Sequence, residues 1–329
     1  MEAQIDYHCH HTGSLSHTYF LQKKKISIKS LQLTDKKRKN NYKYFFGVYK
    51  RRQKLCETDS NITLFSDAID IGTSYFLEGT KQFHLRIGFK LDIKGTKKRL
   101  EEINRGFDFV ENKYGLNNFA KIVLTFIRGK NGKFINYSSR VINYILKNIY
   151  DQSPLVNRVI GFDISGPENN KDWKKCLFIL KKINKFNLLL KSRKNITMET
   201  MVHIGELVDG KSFDKTCDQM QDYLNLNINR ISHGTILWIS AKEIDPTAIK
   251  KINLKQQKIL TMMAAKGTIL EICPSANYFL SPLKSIDQIP LNRLERLGIK
   301  YVIGTDNKGI FNTNLNKEHS LIKLNIKNN

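Results

Sequence analysis

The sequence predicts a (β/α)8 TIM-type barrel within a chain of 329 residues. Two observations support this fold class. Eight short runs rich in β-branched residues alternate with amphipathic segments, and polar side chains follow several of those runs. Alternating strands and helices favour a parallel sheet with right-handed crossovers. In such a barrel, the active site forms where the strands end.

The eight runs are predicted to be strands because they are short, β-branched and bounded by turn residues. They are Ile5–His8, Phe83–Leu91, Ala120–Ile127, Arg158–Ile164, Met201–Gly205, Arg230–His233, Thr268–Cys273 and Tyr301–Thr305. The intervening stretches, such as "TKKRLEEINRGFDFVENKYG" and "NKDWKKCLFILKKINKF", place apolar residues at helical spacing. We therefore interpret residues 1–329 as a single barrel domain.

The connection between the first two predicted strands is unusually long. A structureless loop of about 75 residues is implausible inside a compact domain. This connection contains "YKYFFGVYKRRQKLC" and "ITLFSDAIDIGTSYFL", whose patterns are typical of helices. We expect residues 13–80 to form a helical insertion over the barrel mouth. At the other end of the chain, the C-terminus that follows Asp306 is unusually short for such a barrel.

The formal net charge of +25 has two explanations. It can reflect an anionic partner, either nucleic acid or a phosphorylated small molecule. It can also reflect a composition biased towards lysine, since much of the excess lies in the runs 23–25, 36–39 and 50–52. No basic patch interleaved with aromatic residues and no RNA-binding motif is present. We therefore expect a small-molecule ligand rather than nucleic acid, with phosphate attraction confined to one site.

Cysteine content and hydropathy predict the compartment. The five cysteines form no CxxC pair, which argues against a disulfide scaffold and against a cysteine-based zinc site. No stretch approaches the roughly 18 apolar residues of a membrane span, and the N-terminus lacks a secretory signal pattern. We expect a cytoplasmic monomer with no membrane association.

Histidines concentrate at the first predicted strand. Four of the eight in the chain lie in its first seventeen residues, within "HCHHTGSLSH". Because residues i and i+2 share one face of a strand, His8 and His10 are expected to point inward and Cys9 outward. Two imidazoles on one face are half of a mononuclear zinc site.

Later strand ends supply the remaining donors. "HIGE" carries His203 and Glu206, "RISHG" carries His233, and "GTDN" carries Asp306 and Asn307. A third imidazole and a carboxylate would complete a ligand set suited to zinc. The sequence therefore predicts one Zn²⁺ per chain, held by four residues on three strand ends: His8, His10, His203 and Asp306.

This combination of phrases resembles the adenosine/AMP deaminase family of the amidohydrolase superfamily. The matching phrases are "HCHHTGSLS", "GFDISGPE", "HIGE", "NRISHGT", "LEICPSAN" and "GTDNKGIF", which occur in family order. "GSLSHT", "DISGPE" and "TDNKGIFNTNLNKEHSL" are most similar to the adenosine deaminase-like branch that acts on N6-methyl-AMP.

The resemblance implies specific roles at matching positions. His8, His10, His203 and Asp306 match the zinc ligands, and zinc would lower the pKa of a bound water towards 7. Glu206 matches the residue that protonates purine N1, which makes C6 electrophilic. His233 matches the histidine that orients the attacking hydroxide. His10 also lies where the substrate would bind.

The resemblance also implies contacts to the base. Gly166 matches the glycine whose backbone approaches the purine. Asn307 stands where the family usually has a second aspartate that bonds purine N7, and an amide can donate to N7 without first carrying an acidic proton. Phe46 and Tyr49, on the predicted insertion, are candidates for an apolar wall over the base, although core packing would account for them equally well.

Three further residues indicate a 5′-phosphate. Thr12 replaces the aspartate of plain adenosine deaminases, which removes a charge that would repel phosphate. Arg128 matches an arginine of the methyl-AMP branch, and Lys90 lies where that branch carries another arginine. Solvent exposure is the competing explanation for both cations.

We therefore predict a zinc-dependent hydrolytic deaminase of a nucleoside 5′-monophosphate, which converts N6-methyl-AMP to IMP and methylamine. The first alternative is an adenosine deaminase that releases ammonia from adenosine. The second is a catalytically silent barrel that binds nucleotides.

Overall fold

Eight parallel strands form one sheet in which neighbours in the chain are neighbours in space. The computed structural model describes residues 4–23, 30–33, 42–58, 63–88, 90, 92–128, 133–166, 168, 173–206 and 211–328. It describes the side chains among them except those of 23, 58, 133–138 and 324–328. The strands are β1 (Ile5–His10), β2 (Gln82–Gly88), β3 (Ala120–Ile127), β4 (Val159–Ser165), β5 (Glu199–Ile204), β6 (Arg230–His233), β7 (Ile269–Ile272) and β8 (Tyr301–Ile303).

The sheet closes between its first and last members. The backbone N–H of Asp306 donates to the carbonyl of His8 at 2.7 Å, and the N–H of His10 donates to the carbonyl of Asp306 at 2.8 Å. A parallel bridge between Cys9 and Asp306 results. The (β/α)8 barrel prediction is confirmed, and the closure lies at the predicted ligand residues.

The predicted strands fall on the observed ones. β3 and β6 match in both bounds, and the others differ by one to three residues at an end. The largest difference is β2, which ends at Gly88 rather than Leu91. Lys90 therefore lies beyond the strand and is exposed, while Phe89 and Leu91 lie outside the described residues.

Helices fill the connections between strands. Those between β1 and β2 are α1 (His11–Ser14), α2 (His17–Lys23), α3 (Tyr42–Thr58) and α4 (Leu64–Leu77). Those between later strands are α5 (Ile93–Tyr114), α6 (Lys133–Tyr150), α7 (Trp173–Lys194), α8 (Phe213–Asn225), α9 (Ala241–Ile244), α10 (Ile249–Lys266), α11 (Pro274–Leu280) and α12 (Leu291–Arg296). After β8 come α13 (Lys308–Phe311) and α14 (Leu315–Asn328).

Helix α3 packs against the segments that follow β7 and β8. Its Phe45 and Val48 form a small buried cluster with Leu280 of α11 and Ile310 of α13. The fully buried Arg52 strengthens this attachment, since its guanidinium donates to the carbonyl of Leu15 at 2.9 Å and to other backbone carbonyls nearby. These contacts bring α3 to the end of the barrel where the strands finish.

The main core lies between the outer face of the sheet and the surrounding helices. Strand residues such as Leu85, Leu124 and Val202 are 0–1% exposed there. The side chains on the opposite face fill the barrel interior, where Arg86, Asp163 and Glu271 are also buried. Among the helices that the structure describes, none combines the length and apolar character that a membrane crossing requires.

Candidate active site

Three imidazoles and one carboxylate converge at the closure of the barrel. The Nε2 atoms of His8, His10 and His203 lie 3.0–3.1 Å from one another. Oδ1 of Asp306 lies 3.2 Å from Nε2 of His10 and 3.6 Å from Nε2 of His8. Strand alternation places His8 and His10 on the inner face, while the thiol of Cys9 points away and contacts the carbonyl of His84.

Two of these imidazoles are oriented from behind by buried carboxylates. Nδ1 of His8 lies 3.0 Å from Oε2 of Glu271, and Nδ1 of His203 lies 3.0 Å from Oδ1 of Asp163. A carboxylate accepts a hydrogen bond, so each Nδ1 carries the hydrogen and each Nε2 presents a lone pair to the centre.

The donor set fits a tetrahedral zinc ion. Lone pairs that face one another at about 3 Å repel unless a cation lies between them, and Zn–N bonds of about 2.0–2.1 Å separate tetrahedral donors by about 3.3 Å. Burial holds the pKa of His203 well below its ordinary value, and the neighbouring His8 and His10 act in the same direction. The imidazole is therefore neutral, as a metal ligand must be.

Asp306 of the cluster and the neighbouring His233 have a left-handed backbone conformation, which is unfavourable for residues other than glycine. The φ angle of Asp306 is 56° and that of His233 is 70°. Such conformations persist where the surrounding structure enforces them, and they concentrate at functional sites. Here they point both side chains into the cluster.

Glu206 lies beside the cluster, two residues after the end of β5. Its backbone N–H donates to Glu168 at 2.9 Å, and its carboxylate accepts a short hydrogen bond from the hydroxyl of Tyr42. Burial raises the pKa of Glu206, and the negative charges of Asp306 and Glu168 add to the effect, while His233 opposes it. A carboxyl group in this environment can hold a proton and donate it near neutral pH.

His233 faces both Glu206 and the metal cluster. It is 1% exposed, and its Nε2 lies 3.6 Å from Oε1 of Glu206. Its ring centroid lies 5.1 Å from that of His8 and 5.2 Å from that of His203. The imidazole can therefore exchange a proton with a molecule held between the cluster and Glu206.

A cavity of about 470 Å³ opens onto these groups. The predicted site residues that line it are His10, Phe46, Gly166, His203, Glu206, His233, Asp306 and Asn307. Its apolar wall consists of Tyr42, Phe45, Phe46 and Tyr49 from α3. We call it the base cavity because an aromatic wall faces polar groups across a space suited to a purine.

Glycines allow two close approaches at the base cavity. A Cβ at Gly13 would lie 1.8 Å from Oδ1 of Asn307, so only glycine leaves room for that amide. Gly166 has a φ angle of 95°, a conformation that other residues rarely adopt. Its carbonyl accepts a hydrogen bond of 2.6 Å from Arg128.

A second, more polar cavity of about 680 Å³ adjoins the first. Thr12 and Lys90 line it, and the two cavities share His10, Tyr49, Gln53, Ile127 and Ser165. We call it the polar cavity. Lys98 and Arg99 of α5 also line it.

Two predicted residues lie behind the cavity walls. His8, a member of the cluster, is fully buried. Arg128 is 2% exposed, and its Nη2 donates to the carbonyls of Gly166 and His203 at 2.6 and 2.7 Å. Nη2 of the Arg128 guanidinium thus faces backbone carbonyls, and the predicted contact between Arg128 and a phosphate stays a prediction.

Sequence reasoning missed Asp163, Glu271 and Tyr42. Asp163 and Glu271 each interrupt an otherwise apolar buried strand, in "GFDIS" and "ILEI", and that interruption was the available signal. Tyr42 had no such signal, because its role depends on where α3 packs.

Comparisons of sequence match most of the chain to one protein family. The adenosine deaminase family model matches residues 86–327. A curated adenosine deaminase of Streptococcus agalactiae is 24% identical over 184 residues, which cover 56% of this chain and 44% of that protein. One of Plasmodium gallinaceum is 33% identical over 73 residues, which cover 22% of this chain and 20% of that protein. The matched part thus spans less than half the length of either relative.

Comparisons of structure agree on the fold. The apo structure of the N6-methyl-AMP deaminase from Arabidopsis thaliana has a TM-score of 0.66 at 17% identity, over 98% of this chain and 86% of that chain. Arabidopsis ADAL complexed with GMP has a TM-score of 0.71 at 17% identity, with the same coverage. An amidohydrolase from Burkholderia ambifaria with bound Zn has a TM-score of 0.66 at 15% identity, over 97% and 79% of the two chains. Since the family match extends from β2 into α14, the chain belongs to the adenosine deaminase family.

Proposed function

We propose that this protein is a zinc-dependent purine aminohydrolase acting on a nucleoside 5′-monophosphate, with N6-methyl-AMP as the preferred substrate and IMP and methylamine as products. The observation that carries the proposal is the convergence of His8, His10, His203 and Asp306 beside a buried proton donor, Glu206. Zinc held by these four groups would supply a water nucleophile that is active near neutral pH.

Glu206 is the proton donor to purine N1. Burial raises its pKa and so favours the protonated carboxyl, and its position in the wall of the base cavity exposes it to a bound purine. Transfer of this proton to N1 draws electrons from the ring and makes C6 open to attack. The water oxygen then forms a bond to C6.

His233 is the base that accepts a proton from the attacking water. As water attacks C6, its proton passes to Nε2 of His233, which lies 3.6 Å from Glu206. His233 then gives this proton to the amine at C6, the C6–N bond breaks, and the amine leaves. The remaining hydroxyl proton passes to the Glu206 carboxylate as the C6 oxo group forms, which restores the protonated Glu206. General acid–base assistance of this kind commonly contributes 10²–10⁴-fold to a rate.

Asn307 and the aromatic wall hold the base. The amide of Asn307 lies beside Asp306 in the base cavity and can donate to purine N7. Phe46 and its neighbours on α3 would cover the ring, because they form the apolar wall of the base cavity. Gly166 leaves space for the purine to approach the backbone.

The polar cavity would receive the ribose phosphate. Lys90, Lys98 and Arg99 line it, and a buried Nε of Arg99 has no hydrogen-bond partner among the described residues. Thr12 adds a neutral hydroxyl where a carboxylate would repel the phosphate. Glu57, Asp67 and Glu102 also line the cavity, but Asp67 already pairs with His11 at 2.9 Å. This cavity favours a monophosphate over a free nucleoside.

An amine-release assay on N6-methyl-AMP, AMP and adenosine tests the proposal, with Glu206→Gln alongside the unaltered protein. We expect turnover of the monophosphates to exceed that of adenosine. We also expect the substitution to lower the rate by about 10²–10⁴-fold while zinc stays bound, because the amide cannot donate an acidic proton.

Exclusive turnover of adenosine would instead identify an adenosine deaminase. Absence of amine release from all three substrates, together with nucleotide binding, would identify a silent nucleotide-binding barrel.

A further inference from the structure

Arg86 lies inside the barrel on β2 and is 2% exposed. Its Nη2 lies 2.5 Å from Oε2 of Glu271, and its Nε lies 3.5 Å from Oδ2 of Asp163. Its Nη1 donates to the carbonyl of Tyr7 at 3.1 Å, which fixes the guanidinium on the strand beside it. One buried cation therefore contacts two buried carboxylates.

The two carboxylates are those that orient the metal-binding imidazoles. Glu271 contacts Nδ1 of His8, and Asp163 contacts Nδ1 of His203. Arg86 is thus separated by one carboxylate from each of two of the three imidazoles. The chain of contacts runs from His8 through Glu271, Arg86 and Asp163 to His203.

The buried charges of Asp163 and Glu271 require a cation nearby. Asp163 and Glu271 are both fully buried, and a buried charge left without a partner is strongly unfavourable. Arg230 also contacts Glu271, at 3.4 Å on its other oxygen, but it pairs mainly with Glu199. In the part of the chain that the structure describes, Arg86 is the cation that pairs with both carboxylates.

We propose that Arg86 is the positioning residue of the metal centre, and that it sets zinc affinity by holding Asp163 and Glu271 in the orientation that fixes His8 and His203. This inference rests on the metal site of the proposed function. Partners behind a metal ligand commonly change metal affinity by 10–100-fold when they are removed.

The test measures the zinc dissociation constant of the full chain by competition with a chromogenic chelator. Arg86→Met is expected to weaken zinc binding by about 10–100-fold. Arg158→Met is the matched control, because Arg158 is 8% exposed and also pairs with two carboxylates, Asp108 and Glu111, but contacts none of the ligand histidines or their acceptors. It should leave zinc affinity unchanged even if it lowers the free energy of unfolding.

A second variant separates charge balance from loss of packing. Arg86→Met leaves two buried carboxylates without their cation. Adding Asp163→Asn removes one of these charges but keeps an oxygen that can accept a hydrogen bond from His203. We expect the double variant to bind zinc more tightly than Arg86→Met alone. If Arg86→Met does not fold, Arg86→Lys retains the charge without the planar fork and should still weaken binding.

Three results would overturn the inference. One is wild-type zinc affinity in Arg86→Met, which would leave the metal site itself intact. Another is an equal loss of zinc affinity in Arg158→Met, which would mean that lower stability of the fold, and not the position of Arg86, weakens zinc binding. The third is an unaltered protein that binds no zinc, which would remove the metal site and this inference together.

Discussion

The hydroxyl of Tyr42 donates a hydrogen bond to Oε2 of Glu206, although 164 residues separate them in the chain. Tyr42 is the first residue of α3, and Glu206 lies two residues after the end of β5. The helical segment between β1 and β2 thereby contacts the proposed proton donor as well as covering the base cavity. This bond stabilises the ionised carboxylate and so works against the burial that raises the pKa of Glu206.

Tyr42→Phe should therefore move the pH dependence of the reaction. Without the hydroxyl, the ionised form of Glu206 loses a donor and its pKa rises further. Glu206 acts in its protonated form, so activity declines as pH rises through that pKa. We expect the alkaline limb of the kcat/KM profile to move to higher pH by about one to two units, since a hydrogen bond to a charged group contributes about 1.5–3 kcal/mol.

Tyr49→Phe is the control for this experiment. Tyr49 also lines the base cavity from α3, but its hydroxyl faces Thr12 rather than Glu206. The alkaline limb of the kcat/KM profile of Tyr49→Phe should match that of the unaltered protein. An unshifted limb in Tyr42→Phe would mean that the hydroxyl does not act on Glu206.

Thr12→Asp should invert the preference between nucleotide and nucleoside. Thr12 is 9% exposed and lines the polar cavity proposed for the phosphate. A carboxylate there repels phosphate, and even 1.4 kcal/mol of repulsion corresponds to about a tenfold change in affinity. We expect the KM for AMP-type substrates to rise at least about tenfold while that for adenosine stays constant or falls.

Thr12→Asn provides the neutral comparison, because it changes size without adding charge. Its KM values should remain near those of the unaltered protein. If Thr12→Asp and Thr12→Asn act alike on both substrates, the polar cavity is not where the phosphate binds.

Glu318 of α14 makes stability depend on pH. It is fully buried, and it accepts a hydrogen bond of 2.9 Å from the backbone N–H of Ser275. Burial raises its pKa from 4.5 to about 7. Folding therefore favours the protonated form, and this stabilisation, complete below pH 4.5, is lost as pH rises towards 7.

Glu318→Gln should accordingly stabilise the protein at alkaline pH. We expect the free energy of unfolding at pH 8 to rise by about 2–3 kcal/mol, because the amide avoids ionisation in the buried site, with a much smaller change at pH 5. Urea unfolding at both values measures the difference. Glu101→Gln, at a half-exposed position on α5, should show no such dependence on pH, and equal behaviour of the two variants would contradict the account.

Local patterns explain what the sequence predicted well. β-branched runs and turn residues located all eight strands, and the i, i+2 spacing of His8 and His10 is a property of any strand. The phrases around His203, Glu206, His233 and Asp306 each lie within a few residues of a strand end. Parallel strands bring their carboxyl ends together, so these donors could be grouped before any coordinates were known.

The relationships that escaped prediction are those that packing creates. Arg128 lies at a strand end, but its guanidinium turns to the carbonyls of Gly166 and His203, and nothing local decides that choice. Arg86 meets Glu271 only because the barrel closes, since 185 residues separate them. The contact of Tyr42 with Glu206 depends likewise on how α3 packs across the strand ends.

The central claim is that His8, His10, His203 and Asp306 share a single zinc ion. Elemental analysis of the purified protein after dialysis against a weak chelator tests it most directly, with His203→Ala and Arg158→Met prepared in parallel. The account predicts one zinc per chain in the unaltered protein and in Arg158→Met, and essentially none in His203→Ala. A folded protein that releases amine from purine nucleotides without stoichiometric metal, or a His203→Ala variant that keeps its zinc, would contradict it.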